Sequence, residues 1–284
     1  MTEPNAAIEA VLRAALAEDL GEHGDVTSQA TIHEAAQADA VIVARDGGCV
    51  AGLAAALRVF EIVDESVRTD ACVSLGTMVE AWSKLASIKG PARSILAAER
   101  VALNVLGHLS GVATATRALV DAVEGTGATI VDTRKTTPGL RLLEKMAVRA
   151  GGGDNHRMGL SNAILIKDNH IQAVGSAAQA VRRARAHVGD TMKVEVEIES
   201  LAGLEAVIEA GADVVMLDNM DPDTMRAAVR QADGRCVLEA SGGITLETVR
   251  AVAETGVDLI SVGWITHSAP ALDVALDFVV DLAP

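Results

Sequence analysis

The sequence predicts an α/β fold: a smaller sheet with helices in the first part, then a serial run of βα units closed into a barrel. Three observations carry that reading. Half of the 284 residues are hydrophobic, yet there are only two Phe, two Trp and no Tyr. The core must be aliphatic, which suits helices packed on parallel strands better than an aromatic-rich sandwich. Beyond about residue 112, apolar runs end repeatedly in polar residues: Thr129–Asp132, Ile164–Lys167, Val194–Glu197, Val214–Asp218, Val237–Glu239 and Leu259–Ser261. The last four end points are 21, 21 and 22 residues apart, the period of a βα unit. Such a series makes either a barrel or a doubly wound sheet. Polar ends on nearly every strand converge on the mouth of a barrel, whereas an open sheet has one switch point, so the barrel accounts for the pattern better.

The elements follow in chain order. Residues 6–20 read as an amphipathic helix, with Ile8, Val11, Leu12, Leu16 and Leu20 on one stripe, stopped by Gly21 and Gly24. Short apolar runs punctuated by glycine between 38 and 90 read as a small sheet with a helix near Ala54–Val63. A longer helix is expected from Pro91 to about Leu109, with Ile95, Leu96, Leu103, Leu106 and Leu109 facing a core. The division is therefore 1–111 and 112–284, the last ~15 residues being able to pack back on the first domain.

A formal charge of −15 argues against a nucleic-acid or anionic-membrane partner. Cys49, Cys72 and Cys236 are odd in number, lack metal-ligand spacing and lie in apolar settings that suit buried thiols. No apolar run approaches membrane-spanning length. The N-terminus, with Glu3, Glu9, Glu18 and Asp19, lacks signal-peptide order. A reducing cytoplasm is the expected setting.

Against the acidic total, residues 132–170 hold seven Lys and Arg and four Asp and Glu, a local +3. Gathered around glycines, these cations point to a pocket for a small polyanion. Arg134 and Lys135 directly follow a strand, where a planar fork and a mobile point charge suit carboxylate or phosphate. Alone they read more readily as a solvated surface pair. Gly151–Gly153 followed by Asn155-His156-Arg157 is more specific, because glycines allow close backbone approach and the His-Arg pair supplies donors. Lys167 ends an apolar strand and needs a counter-charge, Asp168 being the simple candidate. His170 reads as structural.

Glu195 and Glu197 share one face of a strand by alternation, and either could hold hydrated Mg²⁺ together with Asp218. Ser241-Gly242-Gly243 and Val262-Gly263 end the last two strands, where glycine turns cradle phosphate; His267 and Ser268 could add donors. There is no nucleophile beside a base, so the chemistry is charge stabilisation of a phosphorylated substrate.

Asp132-Thr-Arg-Lys-Thr-Thr-Pro-Gly-Leu-Arg141, Ala147–Leu160 and Leu165-Ile-Lys-Asp-Asn-His-Ile171 together resemble the quinolinate phosphoribosyltransferase family. The resemblance continues through Glu99–Asn104, Ser110–Thr114, Leu217–Asn219 and Glu239–Gly243, and so covers nearly the whole chain. It implies an N-terminal α/β sandwich domain, a C-terminal incomplete TIM-like α/β barrel, and a homodimer or higher multiple of dimers with sites between subunits. The implied reaction joins quinolinate to phosphoribosyl pyrophosphate with Mg²⁺, releasing CO₂ and pyrophosphate and giving nicotinate mononucleotide for NAD synthesis. The resemblance places Arg134, His156, Arg157 and Lys167 on the quinolinate carboxylates with Thr133 nearby, and Arg100 entering from a partner subunit. It places Lys135 on the phosphoribosyl substrate and Glu197 and Asp218 near the metal-bound ribose and pyrophosphate. Ser241, Gly242, Gly243, Gly263 and His267 take the 5′-phosphate. Met146 departs from the family, which commonly has an aromatic there. The alternatives are a molybdenum-transport-associated homologue acting on another acceptor and a non-catalytic phosphometabolite-binding barrel. The intact Lys167-Asp-Asn-His170 segment speaks against the first, and the retained Glu197 and Asp218 against the second.

Overall fold

The computed structural model describes residues 6–279 and divides into two compact units. Glu3 and the last residues of the expected second domain lie outside the described residues. One unit gathers the described residues up to Ala115, Thr137–Gly152 and the described residues from Ser268 on; the other holds Thr116–Thr136 and Gly153–His267. The helix Arg141–Ala150, which falls within the expected second domain 112–284, groups with the first unit.

The first unit opens with the helix Ala6–Leu20, which buries Ile8, Leu12 and Leu16. Its strands are β1 (Gln37–Ala44), β2 (Gly48–Cys49), β3 (Arg68–Ala71), β4 (Met78–Val79) and β5 (Lys84–Pro91). β5 lies antiparallel between β1 and β3, and β2 pairs with β4. Ala40, Ile42, Leu85 and Ile88 are buried in this sheet, with Val59 and Phe60 from the helix Leu53–Val63. Phe60 is fully buried; most of the remaining core volume is aliphatic, as the composition requires. Cys49 is buried, but Cys72 is exposed and Cys236 intermediate, correcting the expectation of three buried thiols. Cys72 follows β3, which stands at the sheet edge with only β5 beside it, so the apolar run around it has solvent on one side.

The helix after β5 runs from Ala92 to Ala122, well past the expected end near Leu109. Gly107 and Gly111 lie within this helix. A Cβ at Gly111 would lie 2.1 Å from the Pro270 carbonyl oxygen, and one at Gly107 2.9 Å from that of Leu272. These glycines let the C-terminal segment cross the helix at backbone contact.

The second unit is a sheet of six parallel strands: β6 (Thr129–Val131), β7 (Ile164–Ile166), β8 (Val194–Ile198), β9 (Val214–Asp218), β10 (Val237–Ser241) and β11 (Leu259–Ser261). Their order is β6-β11-β10-β9-β8-β7. From β7 to β11 each strand lies beside its successor, and β6 joins beside β11. This is barrel order with one seam, between β6 and β7, and not the reversal of a doubly wound sheet. At the seam Asp154 makes an isolated parallel bridge to Val131; its N–H donates to the Ile130 carbonyl at 2.8 Å and its carbonyl accepts the Asp132 N–H at 3.2 Å. Alternation sends Val196, Val215, Leu217, Leu238 and Ala240 to the buried outer face. Leu165, Glu197, Met216 and Glu239 then line the inside.

The last strand, β12 (Val274–Phe278), returns to the first unit and pairs antiparallel with β1, from Ala40↔Phe278 to Ala44↔Val274. Among the described residues no helix is long and apolar enough to cross a membrane. Because Gly111 has no room for a methyl group, Gly111→Ala is expected to cost about 2–3 kcal/mol, measured by urea unfolding. An unchanged midpoint would contradict the close crossing.

Candidate active site

The C-terminal ends of the six strands and the loops beyond them enclose a cavity of about 720 Å³. It brings together the residues expected at the site except Arg100, Glu195 and Ser268, none of which is in its lining. Arg100 lies on the long helix and lines a hollow of the first unit with Asn104 and His108. Met146 is exposed and is absent from the cavity lining.

One side is cationic. Thr133, Arg134 and Lys135 follow β6, and His156 and Arg157 come from the loop before β7. Gly152 opens that loop with φ +93°, a conformation natural only to glycine. The fully buried Asp132 carboxylate then fixes it, accepting from Asn155 Nδ2 at 2.7 Å and from the His156 backbone N–H at 2.9 Å. Arg157 donates from Nη1 to the Ala163 carbonyl at 2.9 Å, while its buried Nε has no hydrogen-bond partner. Burial, and then the neighbouring Arg134, lower the Arg157 pKa. Two guanidinium groups held this close favour an anion between or beside them.

The other side is acidic. Lys167, just past β7, pairs with Glu197 Oε2 at 2.8 Å. Its counter-charge is therefore across the sheet, not Asp168 as the simple sequence alternative had it. His170 is structural: its Nδ1 accepts the Lys167 backbone N–H at 3.0 Å. Glu195 and Glu197 do share the inner face, but do different things. Glu197 lines the cavity, while the buried Glu195 accepts from His156 Nε2 at 3.0 Å. Glu239 also reaches that nitrogen, at 3.5 Å.

Burial works against a charged imidazole here, but the two carboxylates outweigh it and lift its pKa to about 10. Nδ1 accepts the Arg157 N–H at 2.8 Å and needs its lone pair for that. Burial likewise raises the Glu195 pKa.

The remaining wall is glycine-rich. A Cβ on Gly263 would meet Lys135 Cδ at 3.0 Å and Thr133 Oγ1 at 3.4 Å, so this glycine makes room for the residues after β6. Gly243, with φ +64°, has open space on its side-chain face, as a backbone phosphate cradle requires. Gly242 differs. A Cβ there would fall 2.2 Å from Asn219 Oδ1, so its space serves the Asn219 amide, which holds Asp218 Oδ2 at 2.7 Å.

Sequence reasoning did not single out Glu239, Asn219 or Trp264 for this cavity, although all three line it. A usable signal for Glu239 existed: it stands 21 residues after Asp218, which stands 21 after Glu197. Asn219, at φ +53°, carries no such mark.

The family model of the quinolinate phosphoribosyl transferase C-terminal domain matches residues 112–277, and that of the N-terminal domain residues 25–110. A probable nicotinate-nucleotide pyrophosphorylase [carboxylating] of Bacillus subtilis (strain 168) is 47% identical over 260 residues, covering 92% of this chain and 89% of that protein. The nicotinate-nucleotide pyrophosphorylase [carboxylating] of Mycobacterium leprae (strain TN) is 44% identical over 271 residues, covering 94% and 95%. Among solved structures, the nicotinate-nucleotide pyrophosphorylase from Francisella tularensis superposes with a TM-score of 0.93 at 40% identity, covering 97% of each chain.

The loop geometry rests on Asp132. Asp132→Ala leaves the Asn155 amide and the His156 N–H without their acceptor and is expected to lower stability by about 3 kcal/mol. Hydrogen exchange at the His156 amide should accelerate in the same variant, and an unchanged rate would show that the loop is held otherwise.

Proposed function

The chain belongs to the quinolinate phosphoribosyltransferase family, and on that premise we propose that it transfers the phosphoribosyl group of phosphoribosyl pyrophosphate to quinolinate with decarboxylation. The products are nicotinate mononucleotide, pyrophosphate and CO₂. One observation carries the reading: a single cavity sets the crowded Arg134–Arg157 pair opposite Glu197 and Asp218, with an open glycine turn at Gly243. The cations suit the two carboxylates of quinolinate, and the acids suit the positive charge that develops on the ribosyl carbon.

Arg134, Arg157 and Lys167 bind the quinolinate carboxylates, with Thr133 and His156 beside them. Planar forks fix the ring so that its nitrogen faces the sugar. Lys135 meets the phosphoribosyl substrate, and Ser241, Gly242, Gly243, Gly263 and His267 take the 5′-phosphate end. Glu197 and Asp218 would hold Mg²⁺. Both offer hard oxygen ligands to the cavity, and the Asn219 amide engages one Asp218 oxygen, fixing the carboxylate. Bound there, the ion would neutralise the leaving pyrophosphate. The same carboxylates stabilise the ribosyl cation as the C1–O bond opens. The nitrogen lone pair then closes the N–C1 bond, and the cationic ring accepts the electron pair left when the C2–carboxylate bond breaks. Arg100 does not line the cavity of its own chain, which supports a homodimer in which it serves a second copy. The three free cysteines fit a reducing cytoplasm. No observation favours the two alternative readings.

The test is quinolinate-dependent release of CO₂ and pyrophosphate in the presence of Mg²⁺, with loss of turnover on chelation. Absence of turnover would remove the proposal. Arg157→Ala should raise the quinolinate KM by roughly 30-fold or more while the phosphoribosyl pyrophosphate KM moves less than about threefold. Equal losses on both substrates would refute the assigned pocket.

A further inference from the structure

Glu239 has no solvent exposure, contributes to the cavity lining, and has no hydrogen-bond partner on either carboxylate oxygen. Its ion pair with His156 Nε2 spans 3.5 Å, and that nitrogen already donates to Glu195 at 3.0 Å. Register explains where its charge sits. Glu197 of β8 and Glu239 of β10 are both level with Met216 of β9, and Asp218 stands one inward-facing step further along β9. Three consecutive strands therefore each offer a carboxylate to one small region of the cavity.

A buried carboxylate without hydrogen bonds destabilises a fold. Such groups persist where their charge has a use that outweighs the loss. A metal ion is one possible use, since His156, Glu195 and Glu239 place ligand atoms within 4.8 Å of one another. The ring tautomer opposes it. Nδ1 accepts the Arg157 N–H at 2.8 Å, which keeps the ring proton on Nε2, the atom a metal would need.

We propose that Glu239 is a third carboxylate of the reaction, fixed in the cavity to stabilise the positive charge that forms on the ribosyl carbon and passes to the pyridine nitrogen. This rests on the function proposed above. In the transfer the C1–O electron pair leaves with pyrophosphate, and the nitrogen lone pair forms the new bond. When CO₂ departs, its bonding pair stays on C2, which then takes a proton from solvent. Glu239 forms and breaks no bond in this sequence. It supplies a preoriented charge where little solvent reorganises, which is where such a charge acts most strongly.

Glu239→Gln and Glu239→Met in the full chain test it. Both should lower kcat by about 100-fold with either substrate's KM within about threefold. Neither should lower Tm by more than about 2 °C, since Glu239 makes no hydrogen bond that the fold would lose. A lower Tm with activity falling in step would mark Glu239 as structural and overturn the inference, as would a wild-type kcat in either variant that folds. Wild-type protein without quinolinate turnover would overturn the underlying reading, and this inference with it.

Discussion

The site depends on one unfinished seam. Six parallel strands surround the cavity, and no strand pairing joins β6 to β7 among the described residues. A parallel sheet edge cannot leave its peptide groups unsatisfied in the interior. Here the Asp154 backbone supplies the missing ladder contacts to Ile130 and Asp132, and the Asp132 side chain secures the next two residues. The peptide that covers the free edge of β6 therefore also delivers His156 and Arg157. A seventh strand at this place would present its side chains by simple alternation. A loop can place an imidazole and a guanidinium side by side.

With the β6 edge covered this way, charge is segregated across the cavity. Cations enter from β6 and the seam loop, and carboxylates from β8, β9 and β10. The Lys167–Glu197 pair is where the two sides meet. Lys167 remains 46% exposed in its side chain and Glu197 only 12%. A pair so open to solvent on one side is weakly held. An anion that draws Lys167 away leaves Glu197 to a cation, so occupation of one side prepares the other. Beneath this pair the His156 cluster is the opposite case, almost closed to water.

Much of this was legible in the sequence, for identifiable reasons. Strand ends recur because each βα unit must return its chain to the same rim, and that periodicity located β6 to β11 and most charged residues of the cavity. What escaped was information that exists only between distant segments. The helix is read as ending near Leu109, and nothing local shows that Gly107 and Gly111 make room for the backbone of Pro270–Leu272. Cys72 looks buried until β3 proves to be an edge. The partner of Lys167 is 30 residues away on the neighbouring strand, whereas Asp168 is adjacent and does not pair with it. Glu239 looked like the end of one more strand, because a single chain cannot reveal that a carboxylate lacks hydrogen-bond partners.

The pairing of β12 with β1 has a consequence for how the chain is made. β1 is synthesised early, and its outer edge is covered only by residues that emerge after the whole six-stranded repeat. Closing a contact of such sequence separation is slow. During translation the first sheet therefore waits with an open edge of Ala40-Val-Ile-Val-Ala44, a segment well suited to unwanted strand addition. The nascent chain is most vulnerable just before its last strand arrives, and the segment that completes the small sheet also ends that exposure.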